Sequence, residues 1–152
     1  MKVVTFGEIM LRLSTPGFSR FVQAQSFDVT FGGGEANVAV ALANFGLDSY
    51  FITKLPKHEI GQSSVNHLRR FGVHDDYIVR GGDRVGIYFL ESGASQRASK
   101  VIYDRAGAAI TSLRPEEVNW KSVFAGAAWF HWTGITPALG KSAQHCVRAA
   151  CD

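Results

Sequence analysis

Three consecutive glycines, Gly32-Gly33-Gly34, stand between a segment that predicts a strand and a segment that predicts a helix. Glycine lets a ligand or another backbone approach closely, and a helix N-terminus presents unpaired N–H groups with a partial positive charge. This arrangement suits an anion or sugar hydroxyls, and Asn37 adds a hydrogen-bonding side chain one turn into the helix. Tight packing of the strand against the helix is the alternative role of the glycines.

A second set of polar residues follows in the middle of the chain, at Tyr88 and at Tyr103-Asp104-Arg105. Residues two apart in a strand share a face, so Tyr103 and Arg105 point one way and Asp104 the other. Arginine binds a carboxylate through a planar, bidentate fork, and tyrosine provides a rigid wall with a polar tip. These residues predict a site for a small, polar, anionic substrate. A pairing of Arg105 with Asp104 or with another surface carboxylate is the alternative.

Two familiar phosphate-binding motifs fail at the glycine run. A dinucleotide fingerprint that starts at Gly32 requires a glycine where Asn37 stands, and a Walker A loop requires a lysine and a hydroxyl residue where Glu35-Ala36 stands. Zinc is also poorly supported, because His58-Glu59 begins like a zinc-protease motif but position 62 is glutamine. We therefore expect no metal site in these residues.

The elements that must position these side chains alternate between strands and helices. The predicted strands are 3–6, 27–31, 49–53, 77–79, 85–90, 100–103 and a fully buried strand at 127–132. The predicted helices are 35–45, with Val38, Leu42 and Phe45 on one face, then 61–71 and 141–152. This alternation predicts an α/β fold with a mainly parallel sheet. The strands 85–90 and 100–103 predict a hairpin that stands off the sheet as a small flap.

Composition and charge narrow the class of protein. A chain of 152 residues fits one domain of ordinary size, and its 19% of charged residues argues against long disorder. The net charge of +3 comes from scattered residues, which does not predict a nucleic-acid surface. No apolar run is long enough for a membrane span or a signal peptide. We expect a cytoplasmic protein with no membrane partner, in which Cys146 and Cys151 stay reduced.

The segment 31–42, which contains the glycine run, resembles the first signature of the PfkB, or ribokinase-like, carbohydrate kinases. Lys54-Leu55-Pro56, followed by Gly61, resembles the segment that comes next in that family. Within the family, the chain is most similar to the 2-keto-3-deoxygluconate kinases. The residues that carry this likeness are Gly7-Glu8, Tyr88, 103–109 and 131–139. The resemblance covers essentially the whole chain.

The resemblance implies a ribokinase-like three-layer α/β sandwich with a mainly parallel sheet and a small β-sheet lid, in segments near 10–31 and 76–105. It implies transfer of the γ-phosphoryl group of ATP, with Mg²⁺, to the 6-hydroxyl of 2-keto-3-deoxygluconate. The substrate residues that it implies are Gly33, Tyr88, Tyr103 and Arg105, to which we add Gly34 and Asn37. Arg105 suits this substrate because the sugar carries a carboxylate and neutral hexoses do not.

The resemblance also implies a homodimer, because lids of this family often pair as a β-clasp. Ile87 and Phe89 share the face opposite to Tyr88, and a two-stranded flap cannot bury them alone. We therefore expect these two side chains to pack against the lid of a second subunit.

The chain departs from the family in length, since family members are roughly twice as long. The second family signature, a Gly-Ala-Gly-Asp-type turn that supplies the catalytic base and an anion hole, does not occur here. The resemblance thus implies that residues 1–152 are the N-terminal, substrate-side part of one domain, with the C-terminal half missing. No catalytic residue and little of the ATP and Mg²⁺ sites is expected in this chain, which we expect to be inactive alone. A kinase for ribose, fructose or a nucleoside and an inert sugar-binding fragment are the alternatives.

Overall fold

Two four-stranded sheets organise the chain, and the computed structural model describes all residues from 1 to 152. The strands are β1 Lys2–Phe6, β2 Met10–Ser14, β3 Asp28–Gly32, β4 Asp48–Leu55, β5 Ile78–Arg80, β6 Ile87–Glu91, β7 Lys100–Asp104 and β8 Ala127–His131. The helices are α1 Gly34–Asn44, α2 Glu59–Arg70, α3 Trp120–Phe124, α4 Ile135–Ala138 and α5 Lys141–Cys151. Two short 3₁₀ helices, Ala109–Ser112 and Pro115–Glu117, connect the sheets to α3.

The first sheet has the order β5-β4-β1-β8, and all of its strands are parallel. Neighbouring residues of β4 point to opposite faces of the sheet. Ile52 belongs to a core that includes Cys146 and Val147 of α5, whereas Phe51 belongs to a second core that includes Leu68 of α2. Helices therefore cover both faces of the sheet, and the predicted three-layer α/β arrangement with a mainly parallel sheet is confirmed.

Helix α1 follows the glycine run, as the sequence predicts, but it buries a different face. The buried apolar residues are Ala36 and Ala39, while Phe45 is 80% exposed. Small side chains let the helix lie close to the sheet, where Ser49 of β4 donates a hydrogen bond to the carbonyl of Ala39 at 2.8 Å. Val38, Leu42 and Phe45 share a face of the helix, as the sequence predicts, but the face that packs on the sheet carries alanine, whose small side chain permits the closer approach.

The second sheet has the order β3-β2-β6-β7. β6 and β7 form the antiparallel hairpin that the sequence predicts, and β2 joins this hairpin to β3. β5 pairs with β4 through Thr53 and Ile78, and so lies in the first sheet. In the segment near 76–105, which was expected to belong to the lid, only 87–104 contributes strands to the second sheet. The lid strands therefore begin later in the chain than expected.

One face of the second sheet is apolar along most of its length. Strand alternation and the pairing register place on this apolar face Leu11, Leu13, Val29, Phe31, Ile87, Phe89 and Ile102. Leu11 and Phe31 pack against the core beneath α1 and α2. Farther from the core, Val29 is 60% exposed and Ile102 is 53% exposed.

Strand β8 forms one edge of the first sheet, next to β1. Trp129 on this strand is 65% exposed, so the prediction of a fully buried strand was wrong. A run of apolar residues predicts strand formation, but it does not show which edge of the sheet the strand occupies.

None of the helices is long and apolar enough to span a lipid bilayer.

Candidate substrate-binding cavity

A cavity of about 210 Å³ lies between the N-terminus of α1 and the polar face of the second sheet. Its lining residues are Glu8, Met10, Gly33, Gly34, Glu35, Asn37, Tyr88, Tyr103, Arg105 and Ile135. All six residues that the sequence singled out for substrate binding are in this set. The turn from β3 into α1 supplies one group of them, and strands β6 and β7 with the residue after β7 supply the other.

The two tyrosines form one wall of the cavity. Tyr88 and Tyr103 are directly paired across β6 and β7, and their ring centroids lie 6.0 Å apart. The guanidinium carbon of Arg105 lies 5.6 Å from the centre of the Tyr103 ring. The prediction from strand alternation that these three side chains share one side of the sheet is confirmed.

Gly33 lines the cavity, but its missing side chain serves close packing. A Cβ at this position would overlap the carbonyl oxygen of Glu8 and would lie 3.3 Å from the Cα of Ile9. The φ angle of Gly33 is 175°, which any residue adopts, so steric overlap alone requires the glycine. A valine at Gly33 is therefore expected to disturb the fold, because its Cβ would overlap backbone.

Gly34 and Asn37 differ from Gly33, because both face open space. A Cβ at Gly34 would meet no atom within 4 Å. Asn37 is exposed at the mouth of the cavity, one turn into α1. The glycine run thus combines two roles: Gly33 permits the close approach of two backbones, and Gly34 leaves space at the wall of the cavity.

Arg105 pairs with a buried carboxylate inside the cavity. Its guanidinium donates a hydrogen bond to Oε2 of Glu8, whose side chain is 4% exposed. Asp104 instead pairs with Arg84 at 3.0 Å. The alternative that Arg105 pairs with a carboxylate is therefore correct, but this carboxylate is buried in the cavity and does not lie on the surface.

The groups around Glu8 shift the pKa of its carboxyl group in opposite directions. Burial raises the pKa of Glu8, the charge and hydrogen bond of Arg105 lower it, and the nearby charge of Glu35 raises it again. The net direction is upward, since one partner does not offset both burial and a second carboxylate.

Glu35 is the second buried carboxylate of the cavity. Its Oε1 accepts hydrogen bonds from the Thr133 hydroxyl at 2.6 Å, the Thr136 hydroxyl at 2.7 Å and the Thr133 amide at 3.2 Å. These bonds connect the first turn of α1 to the segment that follows β8. A Cβ at Gly7 would overlap the Glu35 carboxylate, which explains the glycine before Glu8.

The sequence reasoning missed Glu8, Met10, Glu35 and Ile135 as lining residues. For Glu8 a signal was available, because a carboxylate directly after an apolar strand stands at the carboxyl edge of a parallel sheet, where ligands bind. For Glu35 the signal was its place in the first turn after the glycine run. Met10 and Ile135 are apolar and carry no such signal.

The charges of the lining residues give the cavity a polarity. Arg105 is the single cationic side chain, and Glu8 and Glu35 are the two anionic ones. No group of three or more His, Cys, Asp or Glu side chains is arranged to hold a metal ion. The cavity therefore suits a small polyhydroxylated molecule whose negative end, if it has one, lies at Arg105.

These features define an α/β protein with a small polar cavity between a parallel-sheet sandwich and a second, smaller sheet. The chain belongs to the pfkB family of carbohydrate kinases, since the model of that family matches residues 1–152. The resemblance found in the sequence is thereby confirmed.

Curated relatives carry names of sugar-acid kinases. The chain is 41% identical over 142 residues to a 2-dehydro-3-deoxygalactonokinase of Haloferax volcanii, covering 93% of this chain and 44% of that protein. It is 33% identical over 154 residues to a 2-dehydro-3-deoxygluconokinase of Thermoproteus tenax, covering 99% and 46%. The chain thus spans about half the length of the curated relatives that it matches.

Solved structures show the same correspondence. The crystal structure of a 2-dehydro-3-deoxygluconokinase from Thermotoga maritima superimposes with a TM-score of 0.97 at 59% sequence identity, over 99% of this chain and 46% of that one. A PfkB family carbohydrate kinase from Listeria grayi superimposes with a TM-score of 0.94 at 37% identity, over 97% and 46%. The fold is therefore ribokinase-like.

Proposed function

We propose that this chain is the sugar-binding half of an ATP-dependent kinase that phosphorylates 2-keto-3-deoxygluconate on its 6-hydroxyl. The observation that carries the proposal is the cavity in which Arg105, Tyr88 and Tyr103 face the turn at Gly33 and Gly34. A guanidinium among tyrosines and backbone is an arrangement that binds the carboxylate of a sugar acid and leaves hydrogen-bonding groups for its hydroxyls.

The charges support one orientation of the sugar. The two buried carboxylates, Glu8 and Glu35, repel an anion, whereas Arg105 attracts it. The acid end of the substrate accordingly lies at Arg105, and the 6-hydroxyl lies at the far end of the molecule. The amide of Asn37 and the phenol of Tyr88 can donate and accept hydrogen bonds along the hydroxyl groups between these two ends.

The substrate class follows from the names of the relatives together with Arg105. Their names specify dehydro-deoxy derivatives of gluconate or galactonate, and every such compound carries a carboxylate. We assign the gluconate form because the Thermotoga protein, at 59% identity, bears that name. The galactonate form differs in the configuration of one hydroxyl and is the competitor that any assay must include.

ATP and Mg²⁺ are assigned to the half of the kinase outside these residues. In this cavity Glu35 Oε1 already accepts three hydrogen bonds and Glu8 is occupied by Arg105. The lining residues therefore do not fit a magnesium–nucleotide complex, and no step of phosphoryl transfer is assigned to them. Their role is to bind and orient the sugar, and a complete enzyme supplies the nucleotide and the catalytic base.

The apolar face of the second sheet supports a homodimer through the lid. Val29 and Ile102 are more than half exposed there, and Phe27 packs edge-to-face on Phe89 with ring centroids 5.7 Å apart. Exposed apolar side chains that share one sheet face are typical of an interface. We propose that the lid of a second copy covers this face, with Ile87 and Phe89 inside the contact.

A kinase for a neutral sugar is the second candidate, and one observation favours it. Glu8 already balances the charge of Arg105, so the cavity as it stands does not require a substrate carboxylate. Under that alternative, Arg105 would be a structural residue that anchors Glu8 to β7.

The test is a kinase assay on the full-length enzyme that carries this chain, with ATP and Mg²⁺. Its substrates are 2-keto-3-deoxygluconate, 2-keto-3-deoxygalactonate and fructose, each assayed for kcat/KM. We expect turnover of the sugar acids, with the gluconate form preferred over its epimer. Preference for fructose over both acids would reject the assignment in favour of the neutral-sugar kinase.

A further inference from the structure

Glu8 and Arg105 contact each other through only part of their hydrogen-bonding capacity. One guanidinium nitrogen, Nη2, donates to one carboxylate oxygen, Oε2. Oε1 of Glu8 and Nε of Arg105 are both buried and have no partner. The pair is therefore not the two-bond fork that arginine and a carboxylate can form, and Arg105 retains donors for another carboxylate.

The backbone around this pair is shaped to hold the Glu8 side chain in the cavity. A Cβ at Gly86 would overlap Oε1 of Glu8 and would lie 3.3 Å from the Cβ of Arg105. Gly86 precedes β6, so the strand that carries Tyr88 begins against the Glu8 carboxylate. Glu8, Gly86 and Arg105 thus form one packed unit at the wall of the cavity.

The groups that face Glu8 determine what happens when an anion enters. They are Arg105 after β7, Glu35 on α1, and the phenols of Tyr88 and Tyr103, which line the same cavity from β6 and β7. A substrate carboxylate would add a third negative charge around one guanidinium. The substrate anion binds more tightly if one carboxylate becomes neutral, because like charges repel each other strongly in a partly desolvated site.

Glu8 is the carboxylate with an oxygen available for a proton. Oε1 of Glu8 is buried and has no partner, whereas Oε1 of Glu35 accepts three hydrogen bonds. A comparison with Glu91 supports this argument, because Glu91 is also 4% exposed and also pairs with an arginine, Arg97. Glu91 accepts a further bond from the Phe21 amide at 2.9 Å, and this bond lowers its pKa, whereas burial raises the pKa of Glu8.

We propose that Glu8 is a positioning residue that sets specificity for acids: it holds Arg105 before substrate binds and yields it to the substrate's carboxylate by taking up one proton. The proton comes from the solvent and converts the Glu8 carboxylate into a neutral carboxyl group, and no bond of the sugar changes. The inference rests on the proposed function, because it requires a substrate with a carboxylate. It predicts that binding of a sugar acid weakens as the pH rises.

The test measures proton uptake together with affinity in the full-length enzyme. Calorimetric titration with 2-keto-3-deoxygluconate, in two buffers of different ionisation heat, is expected to show uptake of up to about one proton per site above the Glu8 pKa. The dissociation constant is expected to rise by up to about tenfold per pH unit in that range. Glu8→Gln resembles the neutral form, so it is expected to abolish both effects while preserving the shape of the cavity.

Glu91→Gln is the matched control, because it alters a buried glutamate–arginine pair of the same sheet that does not line the cavity. It is expected to keep the proton uptake and the pH dependence. The wild-type uptake needs no variant, so the inference remains testable even if Glu8→Gln fails to fold. Binding of the sugar acid without proton uptake, or an unchanged pH dependence in Glu8→Gln, would overturn this inference alone. Failure of the sugar acid to bind at all would overturn the proposed function and this inference with it.

Discussion

Adjacent glycines in the β3–α1 turn are expected to respond in opposite ways to the same substitution. In Gly33→Ala the new methyl group would overlap the Glu8 carbonyl oxygen and lie 3.0 Å from the carbonyl carbon. Unlike the end of a side chain, this backbone cannot rotate away, so the cost falls at the upper end of the range for overpacking, about 3 kcal/mol. For a chain of this size that corresponds to a melting temperature lowered by about 6–12 °C.

Gly34→Ala is the matched control, because a Cβ there meets no atom within 4 Å. Gly34 is the first residue of α1, and alanine in place of glycine at a compatible position stabilises by about 0.4–1 kcal/mol. Thermal unfolding of both variants, followed by circular dichroism, is the assay. The melting temperature of Gly34→Ala should equal or exceed that of the wild type. In the full-length enzyme the same substitution should raise the KM for the sugar, because the methyl group narrows the cavity. A wild-type melting temperature for Gly33→Ala would refute the packing argument.

Two further predictions concern the thiols and the apolar face of the second sheet. Burial raises the pKa of Cys146 to about 12, whereas Cys151 is exposed, so a thiol reagent at mildly alkaline pH should modify one cysteine in the native chain and two after denaturation. Equal reaction of both thiols in the native chain would contradict the burial of Cys146. Ile102→Lys places a charge on the exposed apolar face and should convert the full-length protein from dimer to monomer in sedimentation at micromolar concentration. A monomeric wild-type protein would instead rule out the lid dimer.

The sequence predicted most of the fold because the signals that it contains are local. Apolar runs and, for β3, the alternation of apolar and polar residues located seven of the eight strands. Glycines with positive φ at Gly46 and Gly72 follow α1 and α2, as expected of helix ends. β2 was not predicted from its pattern, although Leu11 and Leu13 alternate with Arg12 and Ser14 over four residues. The burial of a strand or helix face depends on distant partners, which explains the error at Trp129 and the exposure of Phe45.

The sequence predicted residues of the candidate site, but it did not predict which of them contact each other. Strand alternation placed Tyr103 and Arg105 on one side, since that rule needs only neighbouring residues. Tyr88 joins them through the pairing register of β6 and β7. The pairing of Arg105 with Glu8 joins residues 97 positions apart and follows from the way the second sheet folds over the first. The need for glycine at position 33 likewise arises from the nearby backbone of Glu8, and no local sequence pattern reveals this contact.

The central claim, that Arg105 binds the carboxylate of a sugar acid, is tested most directly by the substrate dependence of an arginine variant. A charge-assisted hydrogen bond contributes about 1.5–3 kcal/mol, so Arg105→Ala in the full-length enzyme should lower kcat/KM for 2-keto-3-deoxygluconate by about ten- to a hundredfold. Arg105→Lys should recover only part of this loss, because an ammonium group lacks the planar fork. The much slower phosphorylation expected for a neutral ketohexose should change little in either variant. An equal loss for both substrates, or no loss for either, would show that Arg105 does not bind the carboxylate and would contradict the assignment to a sugar-acid kinase.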